Sequence, residues 1–281
     1  MINAGSTHEG ELHGAGLTAR GLRAKPKGAF HVFFLLGLLG LALVSGGCST
    51  PGPCHAYLFC PAKEACVRDL NPLEPTPRAE IPAFVKKREH VTGLAYEPYT
   101  DHLYIRLSPG NRVRVVDRPA RKIKREITVA RLGPGGHDFA IRSRDRHFFF
   151  SAPDSPAILE ANLEGKFKNH IPLEGLAQPV WGVALDKSTG EILILATEYA
   201  DLVRRHGPDG RLHSQLKLEQ SVRGVSLDYD PEARLYYACL ADGSAIGVFD
   251  EHGRLRRALP ADASSRETFI AVGPRSLLRL F

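Results

Sequence analysis

The stretch WGVALDKSTGEILIL, residues 181–195, decides the fold of this chain. Two apolar runs rich in branched side chains flank the polar tetrapeptide KSTG at 187–190, which has the residue types of a tight turn. The pattern predicts a β-hairpin with one buried strand on each side of the turn. Because the stretch recurs along the chain, it also indicates a repeat architecture.

Four further segments follow the same template. The anchor positions of the five copies are 45, 44, 42 and 45 residues apart, which is too regular to attribute to chance. The other copies are VTGLAYEPYTDHLYI (91–105), HDFAIRSRDRHFFFS (137–151), RGVSLDYDPEARLYYA (223–238) and the shorter TFIAVGPRSLLRL (268–280). The anchors, in chain order, are Gly93, Asp138, Gly182, Gly224 and Phe269.

Each of the first four copies is followed by two more strand-like runs joined by a Gly- or Asx-containing turn. These runs are 112–116 and 123–129, 157–161 and 166–171, 201–205 and 212–218, and 246–249 and 255–259. Four strands per repeat is the pattern of a propeller blade, and a lone four-stranded sheet cannot bury both of its faces. We therefore predict an all-β fold, a small β-propeller of four-stranded blades.

The copies resemble the NHL/YVTN and gluconolactonase-like propeller repeats, in which G-hydrophobic-A/S-hydrophobic-D is followed by a turn and then L-Y-V. The segments GVALD, GVSLDYDPEARLYYA and GLAYEPYTDHLYI carry this resemblance, which covers the chain from about residue 84 to its end. The resemblance implies the propeller fold and leaves the function open.

Closure of the ring needs strands from outside the repeats, because the fifth copy has room for only two strands before residue 281. The segment 81–90 is the natural donor of an outer strand, and 56–59 offers a further one. We predict five blades closed by the N-terminal segment. A distorted six-bladed ring, or an open ring completed by a partner chain, remains an alternative.

The N-terminal region has the order of a secretory signal. Four basic residues between 20 and 27 precede an apolar run at 29–44 and the small residues 45–47. The apolar run is shorter than the roughly twenty residues that a membrane-spanning helix needs. The segment resembles a bacterial lipoprotein signal peptide, although that pattern prefers an aliphatic residue where this chain has Ser45. The resemblance implies that Cys48 carries acyl chains such as palmitate and that Ser49 permits sorting to the outer membrane.

These patterns predict three regions: a lipoprotein-type signal peptide (1–47), a Cys/Pro-rich tether (48–80) and the propeller domain (81–281). The tether is expected to be extended because residues 51–83 contain seven prolines. We expect an exported protein of the outer membrane or cell surface, held to the membrane by its lipidated N-terminus. The propeller would then lie in the periplasm or outside the cell.

Four cysteines remain beyond the lipidation site: Cys54, Cys60, Cys66 and Cys239. In an oxidising compartment an even number predicts disulfides, with three pairings open. We expect one cysteine of the N-terminal cluster to pair with Cys239. The spacing C-x5-C-x5-C lacks the C-x2-C element of a metal knuckle, so no metal and no cofactor are predicted.

The charge of the chain does not favour nucleic acid as a partner. The 37 Lys and Arg residues exceed the 31 Asp and Glu residues by only 6, and no long basic run is present. The short runs 86–88 and 118–125 fit exposed strand edges, where cations prevent edge-to-edge pairing. A protein, a peptide or a glycan is the expected partner.

The candidate binding residues lie just before or at the anchors, where the innermost strands should converge on the axis. They are His137, Asp138, Trp181 and Arg223, accompanied by Thr92 and Thr268. Such a set can bind an anionic or sugar-like ligand. The alternative is structural: Trp181 packs at the axis and Arg223 pairs with Asp138.

The predicted function is non-enzymatic binding or scaffolding at the cell envelope. The alternative is a divergent gluconolactonase-like hydrolase or lyase with an axial site, in which His137 and Asp138 act as base and orienter. That family places Asn before the G-L-A strand, where this chain has Thr92, Trp181 and Arg223. No G-x-S-x-G or H-E-x-x-H motif occurs, so no catalytic residue is assigned.

Overall fold

The repeated hairpins form as strands in the computed structural model, which describes residues 54–60, 66–70, 77–260 and 268–274. The described residues fall within one unit, Thr50–Phe281, and include no helix that could span a membrane. In chain order the strands are β1 (Cys54–Cys60), β2 (Cys66–Leu70), β3 (Pro77–Pro82), β4 (His90–Glu97), β5 (His102–Ser108), β6 (Arg112–Asp117), β7 (Lys122–Thr128), β8 (Phe139–Arg142), β9 (His147–Ser151), β10 (Ala157–Asn162), β11 (Phe167–Pro172), β12 (Gly182–Leu185), β13 (Ile192–Leu195), β14 (Tyr199–His206), β15 (Leu212–Asp230), β16 (Leu235–Leu240), β17 (Ala245–Phe249), β18 (Leu255–Pro260) and β19 (Phe269–Pro274).

Antiparallel pairing groups these strands into five blades of four strands. Blade 1 is β4 to β7 and blade 2 is β8 to β11. The long strand β15 serves two blades: its first part pairs with β14 and completes blade 3, and its last part pairs with β16 and begins blade 4. Blade 5 combines β19 with β1, β2 and β3. The predicted third and fourth strands of each repeat are confirmed.

The ring closes through the N-terminal segment. Strand β1 runs antiparallel to β19, with Cys54 opposite Pro274 and Phe59 opposite Phe269. The innermost strands are neighbours in the cyclic order β19, β4, β8, β12, β15 and back to β19. At the last of these junctions, the Ile270 N–H donates to Ser226 Oγ at 3.0 Å. The predicted five-bladed propeller is confirmed.

The boundary predicted between tether and propeller at residue 81 is wrong for the described residues. Strands β1 and β2 and most of β3 lie before that boundary and supply three strands of blade 5, not an extended tether. The proline argument failed because Pro77 and Pro82 stand at the two ends of β3. That strand is the outermost of its sheet, where a missing N–H breaks no inner ladder.

The core lies between the blades, because successive side chains of a strand face the blades on opposite sides. Phe148 and Phe150 of β9 pack against blade 1, whereas Phe149 packs against blade 3. The six aromatic residues of the second strands, Tyr104, Phe148, Phe149, Phe150, Tyr236 and Tyr237, are all buried. At the junction of blades 5 and 1, the rings of Tyr57 and Tyr96 lie 4.6 Å apart.

The predicted disulfide to Cys239 is wrong. Cys239 is a free thiol in β16, fully buried between strands, and its Sγ lies 3.6 Å from the carbonyl oxygen of Leu240. Burial raises the pKa of this thiol to about 11. Cys54, Cys60 and Cys66 lie on β1 and β2, where the backbone register sets Cys60 opposite Cys66. The lipidation site Cys48 and the signal segment lie outside the described residues.

Candidate ligand-binding site

The axis of the propeller has two ends with different chemistry. We call the end at which the innermost strands begin the upper end, and the end at which they finish the lower end. The innermost strands run in the same direction: the Asp138 N–H of blade 2 bonds the Thr92 carbonyl of blade 1 at 2.7 Å, near the start of both strands. The sequence-predicted residues all belong to the upper end.

Three of the four predicted residues come together at the upper end. The rings of His137 and Trp181 are stacked, with centroids 4.0 Å apart and planes 5° from parallel. Asp138 is 1% exposed, and its Oδ2 accepts hydrogen bonds at 3.2 Å from the backbone N–H groups of Val183 and Leu227. Its Oδ1 has no hydrogen-bond partner among the described residues. One carboxyl thus links blades 2, 3 and 4.

Arg223 does not pair with Asp138 as the structural alternative had predicted. Its Nε–H donates to the carbonyl oxygen of Ala241 at 3.3 Å. The buried cation that lies beside Asp138 is Arg106 of β5, which sequence reasoning missed. Arg106 is 2% exposed and donates to the carbonyl oxygens of Gly135 (2.8 Å), Asp138 (3.0 Å) and His137 (3.3 Å). The signal was an arginine in the otherwise apolar run LYIRL of a buried strand.

The pKa values at the upper end reflect this burial. Burial raises the pKa of the Asp138 carboxyl well above its usual range, against the effect of its backbone hydrogen bonds. Burial lowers the pKa of Arg106 to about 10, and the negative charge of Asp138 opposes that shift. Burial, and then the charge of Arg106, lower the pKa of His137. Arg106 and Asp138 are thus held in place mainly by backbone groups.

The lower end is open. A cavity of about 440 Å³ lies where the innermost strands finish and their first turns begin, and every blade contributes to its lining. Blade by blade, the lining residues are Pro98 and Tyr99; Arg142, Ser143 and Arg144; Lys187 and Ser188; Tyr229, Asp230, Pro231 and Glu232; and Val272 and Gly273. A concave, partly apolar cavity at the meeting point of repeated units has the form of a small-ligand site.

Several acidic groups around this cavity are used by the fold. Asp230 Oδ1 accepts the backbone N–H groups of Glu232 and Ala233, and Asp186 likewise caps the turn after β12. Asp186 and Asp230 are therefore turn residues. Asp228 differs, because its Oδ2 accepts the N–H of Val272 in blade 5 and so joins blades 4 and 5.

Other polar groups of the cavity have unused hydrogen-bonding capacity. Lys187 Nζ donates to the Val272 carbonyl at 3.2 Å, which leaves further N–H donors. Ser143 Oγ is buried without a hydrogen-bond partner among the described residues. Arg144 is exposed, and no described residue forms a hydrogen bond or ion pair with it. The Tyr99 side chain is 64% exposed at the rim.

One group beside the cavity has the residue types of a metal site. Ligand atoms of Asp145, His147 and Glu160 lie within 4.8 Å of one another. The guanidinium of Arg142 already donates to Asp145 Oδ2 at 2.6 Å and to Glu160 Oε1 at 2.9 Å, and it lies 4.5 Å from the centre of the Phe149 ring. Since Arg142 occupies the position of a cation between the two carboxylates, we assign no metal to this group.

Comparisons with known proteins give the fold. No protein-family model and no curated protein matches the chain. Among solved structures, a chain of a nidogen/laminin complex is similar at 10% identity and a TM-score of 0.52, over 79% of this chain and 99% of that one. Myxococcus xanthus glutaminyl cyclase is similar at 14% identity and a TM-score of 0.49, over 63% of this chain and 75% of that one.

A third similar structure is the hydrazine synthase of Kuenenia stuttgartiensis, at 11% identity and a TM-score of 0.43. The match covers 64% of this chain and 51% of that one, so this chain spans about half of that protein's length. Identities this low concern fold and not activity. Together with the sheet topology, the nidogen similarity shows that the chain is an all-β propeller.

Proposed function

We propose that this protein is a binding propeller of the cell envelope and not an enzyme. In this proposal the chain is exported by its N-terminal signal, carries acyl chains on Cys48 and presents its propeller in the periplasm or outside the cell. The support for export is the order of basic, apolar and small residues before Cys48. The NHL-type repeat pattern supports the same role, since such rings present rigid loops to a partner.

The observation that carries the proposal is the contrast between the ends of the axis. The lower end has a cavity of about 440 Å³ lined by all five blades, with an exposed tyrosine and cations at its surface. Aromatic and apolar walls with a few polar groups are typical of sites that bind small ligands. A cavity of this size fits a small molecule or a short segment of a peptide or glycan.

The hydrolase alternative depends on His137 and Asp138, and their surroundings do not favour it. The His137 ring is stacked on Trp181, and Asp138 is buried with one oxygen held by two backbone amides. The neighbouring hydroxyl of Ser151 accepts the backbone N–H of His137 at 2.8 Å and donates to the carbonyl oxygen of the same residue. That hydroxyl is engaged with the backbone and not with the imidazole.

Two exposed tyrosines provide a matched test of this proposal. Tyr99 lies at the lower end and is 64% exposed, whereas Tyr199 starts β14 on the side of the upper end and is 55% exposed. The full chain would be screened by NMR against a mixture of monosaccharides, uronic acids, amino acids and dipeptides. We expect binding that Tyr99→Ala weakens and Tyr199→Ala leaves unchanged. Turnover of lactone or ester substrates that His137→Ala abolishes would contradict the proposal.

Membrane attachment needs a separate experiment. Two acyl signals hold a protein at a membrane far more firmly than one chain does, and each buried CH₂ contributes about 0.8 kcal/mol. The chain with its native Cys48 should therefore partition into the membrane fraction, and the Cys48→Ala variant should not. A Cys48→Ala chain that remains in the membrane with the same apparent mass would refute lipidation without affecting the proposed binding role.

A further inference from the structure

The lower-end cavity carries an inference about the chemistry of its ligand, which rests on the proposed function that this cavity binds one. We propose that the cavity recognises a carboxylate group borne by a ligand with a ring or apolar body.

The unused donors belong to adjacent blades. Arg144 of blade 2 has no polar partner among the described residues, although a guanidinium offers five N–H donors in a planar fork. Next to it in the chain, Ser143 Oγ is buried and unsatisfied. Lys187 of blade 3 uses one donor on the Val272 carbonyl and keeps the others. A carboxylate can accept from an arginine fork with two parallel bonds and still accept from a hydroxyl.

The acidic groups nearby do not cancel this preference. Asp230 caps its own turn through Oδ1. Asp228 lies beside Lys187: burial raises the pKa of this carboxyl, and the charge of Lys187 opposes the rise. Lys187 therefore has a counter-charge within the protein, whereas no described residue forms an ion pair with Arg144. The cation that a ligand can neutralise is Arg144, with the exposed Glu232 as the remaining acid of the rim.

The arginine-carboxylate cluster beside the cavity shows how a second arginine of the lining differs from Arg144. Arg142 also lines the cavity, but its guanidinium is matched by Asp145 and Glu160. Two nearby arginines of blade 2 thus differ in their partners. Arg142 is paired with carboxylates of its own blade, whereas Arg144 lines the cavity and forms no ion pair with a described residue. A ligand carboxylate would supply the missing anion.

The walls define the rest of the ligand. Tyr99 places an exposed aromatic ring at the rim, and Pro98 and Pro231 add rigid apolar surface. Rings of this kind pack against the apolar face of a sugar or against an apolar side chain. Two sources offer a carboxylate on such a body: a uronic acid of a glycan and the C-terminal residue of a peptide.

Calorimetry of the full chain with two matched pairs of probes tests the proposal. The pairs are D-glucuronate with D-glucose, and N-acetyl-L-phenylalanine with its C-terminal amide. We expect at least one acid to bind about tenfold more tightly than its neutral counterpart, because a bidentate arginine contact is lost in the neutral probe. The pair that shows the difference identifies the source as glycan or peptide.

Arg144→Gln should remove that difference, whereas Arg211→Gln, a substitution of an 81% exposed arginine in blade 3, should preserve it. Neutral probes that bind as tightly as the acids, acids that fail to bind, or discrimination that survives Arg144→Gln would each overturn the carboxylate proposal. In those cases the proposed binding function is judged separately, by whether Tyr99→Ala weakens any ligand found in the wider screen.

Discussion

The upper and lower ends of the axis are made by the same five repeats, yet most of their polar groups are in different states. At the upper end Arg106 donates to backbone carbonyl oxygens and Asp138 Oδ2 accepts two backbone amides, and only Asp138 Oδ1 has no hydrogen-bond partner among the described residues. At the lower end Arg144 and Ser143 have no such partners among the described residues. The comparison teaches that one end of the ring holds the blades together and the other is left available for a ligand.

The largest effect should come from breaking the upper end at Asp138. Asp138→Ala leaves the N–H groups of Val183 and Leu227 without their buried acceptor, and each unsatisfied group costs about 1–3 kcal/mol. We expect a loss of about 3–5 kcal/mol in the free energy of unfolding, measured by denaturant titration. Asp209→Ala, at a 56% exposed carboxylate, is the control and should cost less than about 0.5 kcal/mol. A loss below about 1 kcal/mol for Asp138→Ala would contradict the structural role.

The second prediction identifies the partner of Asp138. A double-mutant cycle between Asp138→Asn and Arg106→Met should show a coupling free energy of about 1–3 kcal/mol, because the two charges are buried together. Asn retains an acceptor for the backbone amides and tolerates the positive φ of 44° at this position. The same cycle with Arg223→Met in place of Arg106→Met should show coupling within about 0.5 kcal/mol. Equal coupling in both cycles would disprove the assignment of Arg106.

The third prediction concerns the lower end, where substitution should affect binding and not stability. Tyr99→Ala removes an exposed ring, so the free energy of unfolding should change by less than about 0.5 kcal/mol. Binding of a ligand found in the NMR screen should weaken by about tenfold or more, since the aromatic wall of the cavity is lost. A large loss of stability with unchanged binding would mean that this end has the structural role instead.

How far the sequence predicts this molecule differs between the two ends. The regular anchors predicted the blades, the five-fold ring and the position of Asp138 at the axis. They did not reveal Arg106, because a single arginine in a strand is usually solvent-facing and its burial depends on the neighbouring blade. The hairpin pattern also assigned 187–190 to a plain turn. Those residues become a cavity only after the closed ring brings five turns together, which no single repeat encodes.

The N-terminal strands show a second limit of sequence reasoning. Proline density in 51–83 indicated an extended tether, and composition cannot distinguish a tether from an edge strand with prolines at its two ends. The pairing of β1 with β19 joins residues more than two hundred positions apart, which only the closed ring imposes. The free thiol of Cys239 follows from the same packing, because its strand lies inside blade 4.

The smallest predicted effect is a pH dependence of the free energy of unfolding, to which the upper end contributes through His137. Burial lowers the folded-state pKa of His102, His137 and His206. As the pH falls below the unfolded value of about 6.5, the unfolded chain binds protons that the folded chain does not, so the free energy of unfolding decreases. His137→Phe keeps a ring on Trp181 and removes one titrating group. Its stability should fall less steeply between about pH 7 and pH 5.5, and an unchanged slope would exclude His137 from the effect.

The central claim is that a ligand binds at the lower end of the axis and not at the upper end. The most direct measurement is a crystal structure of the full chain soaked with D-glucuronate and, separately, with N-acetyl-L-phenylalanine. We predict ligand density in the lower-end cavity, with a carboxylate within hydrogen-bonding distance of the Arg144 guanidinium. Density on Trp181 and His137 at the upper end, with the lower-end cavity containing only solvent, would contradict the account.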